Sequence, residues 1–114
     1  MIYTQTIKIN AEFKRMYYNS KFKIGFLTVI YLKRNKLDKD KASLGITVSK
    51  KVGNAVIRNR VRRIILAAYR NLEKTENFKG FRIVIVARKN CCKAKMWDAL
   101  KEIKKSFSIL KKKI

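Results

Sequence analysis

The sequence has 114 residues, 47% of them hydrophobic, with 30 Lys and Arg against seven Asp and Glu and neither histidine nor proline. A formal charge of +23 repels itself unless a polyanion is at hand, so a phosphate-rich partner is the first expectation; the hydrophobic content excludes a disordered basic tail, and the length predicts one domain, residues 1–114, around a single core. Without imidazole there is no near-neutral base, and the adjacent Cys91 and Cys92 can build neither a disulfide framework nor a zinc site, so they read as ordinary reduced thiols, with a redox-sensing role as the alternative.

From the N-terminus, "MIYTQTIKIN" lacks the basic start and apolar stretch of a signal peptide, and the longest apolar run, residues 24–32, is too short to cross a bilayer. A cytoplasmic protein without a membrane partner is expected. Residues 10–18, "NAEFKRMYY", predict a short helix with Asn10 as N-cap and Phe13, Met16 and Tyr17 on one face. Residues 24–32, "IGFLTVIYL", predict one strand with apolar residues on both faces, either covered on each side or lining a groove on one.

After a basic loop, "LGITVS" at 44–49 alternates, with Leu44, Ile46 and Val48 expected inward and Gly45, Thr47 and Ser49 outward. Gly53 permits a tight turn, and Asn54 caps a helix predicted to run to about Leu72. "FRIVIVA", 81–87, predicts another two-faced strand. A last helix, about 94–110, places Trp97, Leu100, Ile103, Phe107 and Leu110 on one stripe. This order predicts an α+β fold, an α/β sandwich in which helices pack on one small sheet.

The helix from residue 55 carries the strongest signal. At one hundred degrees per residue, Ile57, Val61, Ile64, Ile65, Ala68 and Leu72 gather on a core face, while Arg58, Asn59, Arg60, Arg62, Arg63, Tyr69 and Arg70 form the opposite arc. A solvated helix face mixes signs to gain i,i+4 pairs, but no acid occurs between Asp40 and Glu73. Lys50, Lys51 and the helix N-terminus add positive charge in the same neighbourhood, and arginine's planar fork suits phosphate oxygens and exposed bases, so structured RNA is the expected target. Leu66 interrupts the basic arc.

Catalytic side chains are scarce. The carboxylates Glu12, Asp38, Asp40, Glu73, Glu76, Asp98 and Glu102 fall in polar loops or on helix faces where solvation explains them, and Asp38 with Asp40 reads as a solvated turn rather than a metal pair. No catalytic residue, no metal site and no small-molecule substrate is expected.

"SLGITVSKKVGNAVIRNRVRRIILAAYR" followed by "FRIVIVARK", with "EFKRMY" near the N-terminus, closely resembles the protein subunit of bacterial ribonuclease P. The resemblance covers most of residues 10–90. It implies a small mixed sheet packed by helices, like the second domain of a small-subunit ribosomal protein, with a left-handed βαβ crossover. It also implies a helper of a ribozyme that removes the 5′ leader from precursor tRNA, the chemistry being carried by the RNA subunit with Mg²⁺ bound largely by RNA and none held by the protein alone.

Carried over by position, Lys50, Lys51, Asn54, Arg58, Asn59, Arg60, Arg62, Arg63 and Arg70 would meet the RNA subunit. Phe13 and Tyr17, with Leu27, Val29, Ala87, Arg88 and Lys89, would line a cleft for the single-stranded leader. Two positions depart from the resemblance: Leu66 stands where a basic residue is usual, and Cys91 and Cys92 follow "ARK" where proline is frequent. The alternatives that the charge would also serve are a ribosomal-type or chaperone RNA-binding protein, an independent metal-dependent nuclease and, least well supported, a helix-turn-helix DNA binder.

Overall fold

The computed structural model describes residues 1–114 as a five-stranded mixed sheet with three α-helices. In chain order the elements are β1 (Thr4–Thr6), α1 (Asn10–Asn19), β2 (Lys21–Ile24), β3 (Thr28–Arg34), β4 (Ala42–Thr47), α2 (Ala55–Glu73), β5 (Phe81–Ala87), a 3₁₀ turn (Lys89–Lys93) and α3 (Met96–Lys111). The strands lie in the order β1-β4-β5-β3-β2, with β1 parallel to β4, β4 parallel to β5, and the β5-β3-β2 side antiparallel. The parallel neighbours β4 and β5 are joined through α2, as parallel pairing requires of a crossover connection. The α+β expectation holds.

Period-two alternation divides the sheet. Ile30 and Leu32 of β3, Leu44 of β4 and Phe81, Ile83 and Ile85 of β5 point to one side, where α2 and α3 cover them with Val61, Ile65, Ala68, Tyr69, Leu72, Ile103, Phe107 and Leu110 in a single buried cluster. Tyr69 stacks on Phe78 with ring centroids 4.7 Å apart, and Phe78 and Phe81 both meet Phe107 edge-on. Across the sheet, only the short α1 covers a smaller cluster of Ile7, Met16 and Val84, with Phe13, Tyr31 and Val86 packed against it.

The predicted single strand over 24–32 is two. Gly25, Phe26 and Leu27 form a tight turn, with Gly25 N–H donating to Thr28 C=O at 2.8 Å, so the apolar run straddles a β2–β3 hairpin. The Glu102 carboxylate holds the turn, accepting from the Leu27 and Thr28 N–H groups at 3.0 and 2.7 Å and from the Thr28 hydroxyl at 2.7 Å. A Cβ at Gly25 would lie 2.6 Å from that carboxylate carbon, so a larger residue there would displace the Glu102 side chain from the turn. Two helix ends also differ from expectation: Asn10 is the first residue of α1 and makes no cap, Ile9 preceding it, and α3 begins only at Met96, Ala94 and Lys95 being extended between it and the 3₁₀ turn. Trp97 is 62% exposed. It shares its stripe with Lys101, Lys104 and Ser108 at helical spacing, opposite the Ala99, Ile103, Phe107 and Leu110 face.

β1 went unpredicted because its three residues are held from afar. Buried Glu73, at the end of α2, accepts from Ile2 N–H at 2.6 Å, from Tyr3 N–H at 3.2 Å and from the Thr4 hydroxyl, which lies 2.8 Å from the Tyr69 hydroxyl. Burial by itself would raise the Glu73 carboxyl, but these hydrogen bonds outweigh it and lower it below its ordinary value of 4.5. A depressed carboxyl stabilises the fold above the unfolded-state value, and that contribution disappears as the pH falls through the lower folded value. Glu73→Gln should cost about 2 kcal/mol at neutral pH and make stability less sensitive to acid. An unchanged acid-unfolding profile would show that Glu73 does not titrate in this setting.

Candidate nucleic-acid interface

The basic arc begins at a tight junction. The Asn54 side chain accepts from Ile57 N–H at 3.0 Å, capping α2 as expected, and a Cβ on Gly53 would sit 2.9 Å from Ile57 Cγ2, so glycine lets the first helical turn press on the loop before it. Lys50 and Lys51 stand exposed in that loop. Along the 19-residue helix, Asn59, Arg60, Arg62, Arg63 and Arg70 are exposed, and Arg58 is half-buried with its Nε buried and unpaired.

The side chains of the arc do not share one role. The Arg60 guanidinium donates to the Cys92 and Ala94 carbonyls at 3.0 and 3.1 Å and so pins the 3₁₀ turn to α2. Its charge remains on the surface, but its fork is already engaged. Tyr69 is not part of the arc: following Ile65 by one turn, it is fully buried, and that burial drives its hydroxyl pKa well above the usual tyrosine value. Leu66 is half-buried and leans on the core cluster. No group of three or more His, Cys, Asp or Glu side chains converges as metal ligands would. Asp38 turns back on its own loop, accepting from Asp40 N–H at 3.1 Å. Burial raises the Cys91 thiol to about 11, which keeps it protonated.

The second surface is the sheet face beneath α1. Register places Thr47, Val86, Val29 and Ile24 in one row across the strands, and Gly45, Val84, Tyr31 and Phe22 in the next. Phe13 and Met16 of α1 settle on this face. The Phe13 ring comes so close that a Cβ on Gly45 would lie 2.5 Å from Phe13 Cε1, so Gly45, expected outward toward solvent, is buried under the helix. Tyr17, 38% exposed, meets Tyr31 edge-on at 5.0 Å, its hydroxyl 3.2 Å from that of Thr47, and Tyr31 meets Phe22 at 5.6 Å. Phe22 and Ile24, 56% and 59% exposed, extend an aromatic and aliphatic strip to the sheet edge.

Of the residues expected to line a cleft, Phe13, Tyr17 and Val29 lie on this face. Leu27 and Ala87 do not: both are buried in the α2/α3 core on the other side of the sheet. Ala87 follows Val86 on the alternating strand and so faces the core, whereas Leu27 lies in the turn before β3 and does not share the alternation that places Val29. Arg88 is spent on the hairpin, donating from Nη1 to Gly25 C=O at 2.6 Å beside an Asn90 bond to Phe26 C=O at 3.0 Å. Lys89 is exposed beyond the end of β5.

Phe22, Ile24, Tyr31 and Val86 were not anticipated from sequence. Nor were Lys33 and Arg82, which pair directly across β3 and β5 on the same face, both half-buried. Like charges placed opposite each other oppose sheet pairing, and a phosphate between them would reverse that. The signal was present in the alternation: "VIYLK" puts Val29, Tyr31 and Lys33 together, and "FRIVIVA" does the same for Arg82, Val84 and Val86.

Known proteins resemble the chain in sequence and in fold. The family model for ribonuclease P matches residues 1–111. The ribonuclease P protein component of Clostridium acetobutylicum is 41% identical over 102 residues, covering 90% of this chain and 85% of the relative, and that of Clostridioides difficile is 42% identical over 102 residues, covering 89% and 87%. A solved mutant of the Staphylococcus aureus RNase P protein superposes with a TM-score of 0.80 at 30% identity, covering 93% of this chain and 87% of that one.

Proposed function

Because the chain belongs to the ribonuclease P protein family, we propose that it is the non-catalytic subunit of a ribonucleoprotein endoribonuclease that removes the 5′ leader of precursor tRNA in the cytoplasm. The observation that carries this reading is an arginine face with no acid between Asp40 and Glu73, in a chain matched by the family over residues 1–111. The exposed Arg62, Arg63 and Arg70, with Lys50 and Lys51 near the helix start, bind phosphates of the RNA subunit. Arg60 contributes charge while holding the 3₁₀ turn in place.

On the other face, Phe13, Tyr17, Tyr31 and Phe22 offer rings and Lys33 and Arg82 offer charge to a single strand. Stacking on rings tolerates any base, which suits a subunit that meets many leader sequences. The protein thereby raises the local concentration and fixes the orientation of the substrate, while Mg²⁺ held by the RNA subunit supplies the hydrolytic chemistry.

Reconstitution tests the reading. At Mg²⁺ too low for the RNA subunit to act well alone, adding the chain to ribonuclease P RNA should increase the rate of leader removal by at least an order of magnitude, since positioning alone offers far more than that. Binding without faster cleavage would favour a general RNA-binding protein. Cleavage by the chain free of RNA would contradict the proposal.

A further inference from the structure

On α2, Arg58, Arg62, Leu66 and Arg70 follow one another at intervals of four residues and form one ridge. Leu66 breaks the charge of that ridge at a concavity. A groove of about 280 Å³ runs between α2 and the β1–β4 edge of the sheet, floored by Ile7, Leu44, Ile46 and Leu66 and flanked by Arg62 and Arg70. Ile7 and Leu44 are buried, whereas Ile46 and Leu66 are only half-buried and keep apolar surface toward the opening. Arg62 and Leu66 also line a shallow hollow with Asn59 and Arg63, so the groove opens onto the arginine face.

Several features narrow the occupant. The volume falls just below the usual range for drug-sized ligands, roughly 300 to 1,000 Å³, and leaves room for one planar ring system. The floor carries no charge, which disfavours a bare phosphate. The flanking arginines are two helical turns apart, about 12 Å along the axis, and both are exposed, so their flexible side chains can close on phosphates at either end of a bound group. An apolar slot between two phosphate binders has the chemistry of one nucleotide in a strand.

We propose that this groove receives one unpaired nucleobase of the RNA subunit, with Leu66 against the base and Arg62 and Arg70 on its neighbouring phosphates. Leu66 then replaces an ionic contact by an apolar one, and the arc reads an extruded base as well as backbone shape. This deepens the function proposed above and rests on it.

The test uses the full chain and ribonuclease P RNA. Leu66→Ala should reduce affinity about tenfold, as removing a buried leucine side chain from an interface does, with the salt dependence unchanged. Leu66→Lys should weaken binding at high salt, where ionic contacts are screened, despite its added charge; thermal unfolding of both variants checks that they remain folded. If Leu66→Lys instead binds more tightly, with a salt slope steeper by about one, the groove is only a phosphate surface and the inference falls.

Methyl NMR gives a reading independent of affinity. Adenosine 5′-monophosphate should shift the Ile7, Ile46 and Leu66 methyls and ribose 5-phosphate should not, whereas equal shifts with both, or none, would overturn base insertion. Failure of the underlying function would look different, because wild-type chain would then neither bind ribonuclease P RNA tightly nor accelerate cleavage.

Discussion

Replacing Arg62 and Arg63 together with alanine is expected to weaken assembly with ribonuclease P RNA about a hundredfold at moderate salt. Both side chains are exposed, and neither makes a hydrogen bond within the protein comparable with those of Arg60 to Cys92 and Ala94. Two hydrogen-bonded pairs with phosphate, each at the lower end of ~1.5 to 3 kcal/mol, amount to about 3 kcal/mol, which is about two decades in affinity. The slope of log affinity against log salt should become shallower by about two, one for each phosphate left unneutralised. Because the mutated side chains lie off the core, thermal stability should hardly change. Arg60→Ala should behave differently, loosening the 3₁₀ turn and lowering stability as well as affinity. An unaltered salt slope in the Arg62/Arg63 variant would place the RNA subunit elsewhere on the protein.

The second large effect concerns the other side of the sheet. Tyr17→Ala with Tyr31→Ala removes the edge-on pair at the centre of the aromatic strip while leaving α2 intact. Loss of one stacked base, worth ~1 to 3 kcal/mol, should reduce the holoenzyme's affinity for precursor tRNA about ten- to a hundredfold. Mature tRNA has no leader to stack, so its affinity should stay within about twofold, the size of effect expected of a substitution remote from the bound molecule. Phe13 is a poorer probe, because its ring is wedged against Gly45 and its removal would also release α1.

How legible these surfaces were depended on the length of the pattern that encoded them. α2 could be read from sequence because five turns of periodic Ile, Val and Leu fix its orientation, so the arginines must fall opposite; even its cap, Asn54, was apparent. Tyr69 was misplaced because a large side chain at the border of the apolar stripe turns inward, where Thr4 satisfies its hydroxyl. The hairpin was hidden for another reason. Gly25 to Leu27 lies inside an apolar run, and the groups that make it a turn, Glu102, Arg88 and Asn90, lie more than sixty residues further along the chain. With that turn unseen, Leu27 reads as sharing the face of Val29 two residues on, whereas it belongs to the turn and packs into the α2/α3 core.

Ala87 illustrates how narrow such inferences are. One residue earlier, Val86 faces the strip beside Val29; Ala87 itself is in the core. Resemblance supplied Phe13 and Tyr17, whereas the structure added Tyr31, Phe22, Lys33 and Arg82 by register alone. Leu66, the residue out of place in a basic arc, is accounted for physically: it covers the junction of α2 with β1 and β4 and floors the groove there.

The protein is thus proposed to carry two RNA surfaces on opposite sides of one sheet, one for the ribozyme and one for its substrate. The most direct measurement is the ratio of precursor to mature tRNA affinity for holoenzymes assembled at saturating protein. The Tyr17/Tyr31 variant should bring the ratio toward that of the RNA subunit alone, and the Arg62/Arg63 variant, once assembled, should keep the wild-type ratio. If instead the arginine variant lowers the ratio and the tyrosine variant keeps it, the two surfaces have been assigned the wrong way round.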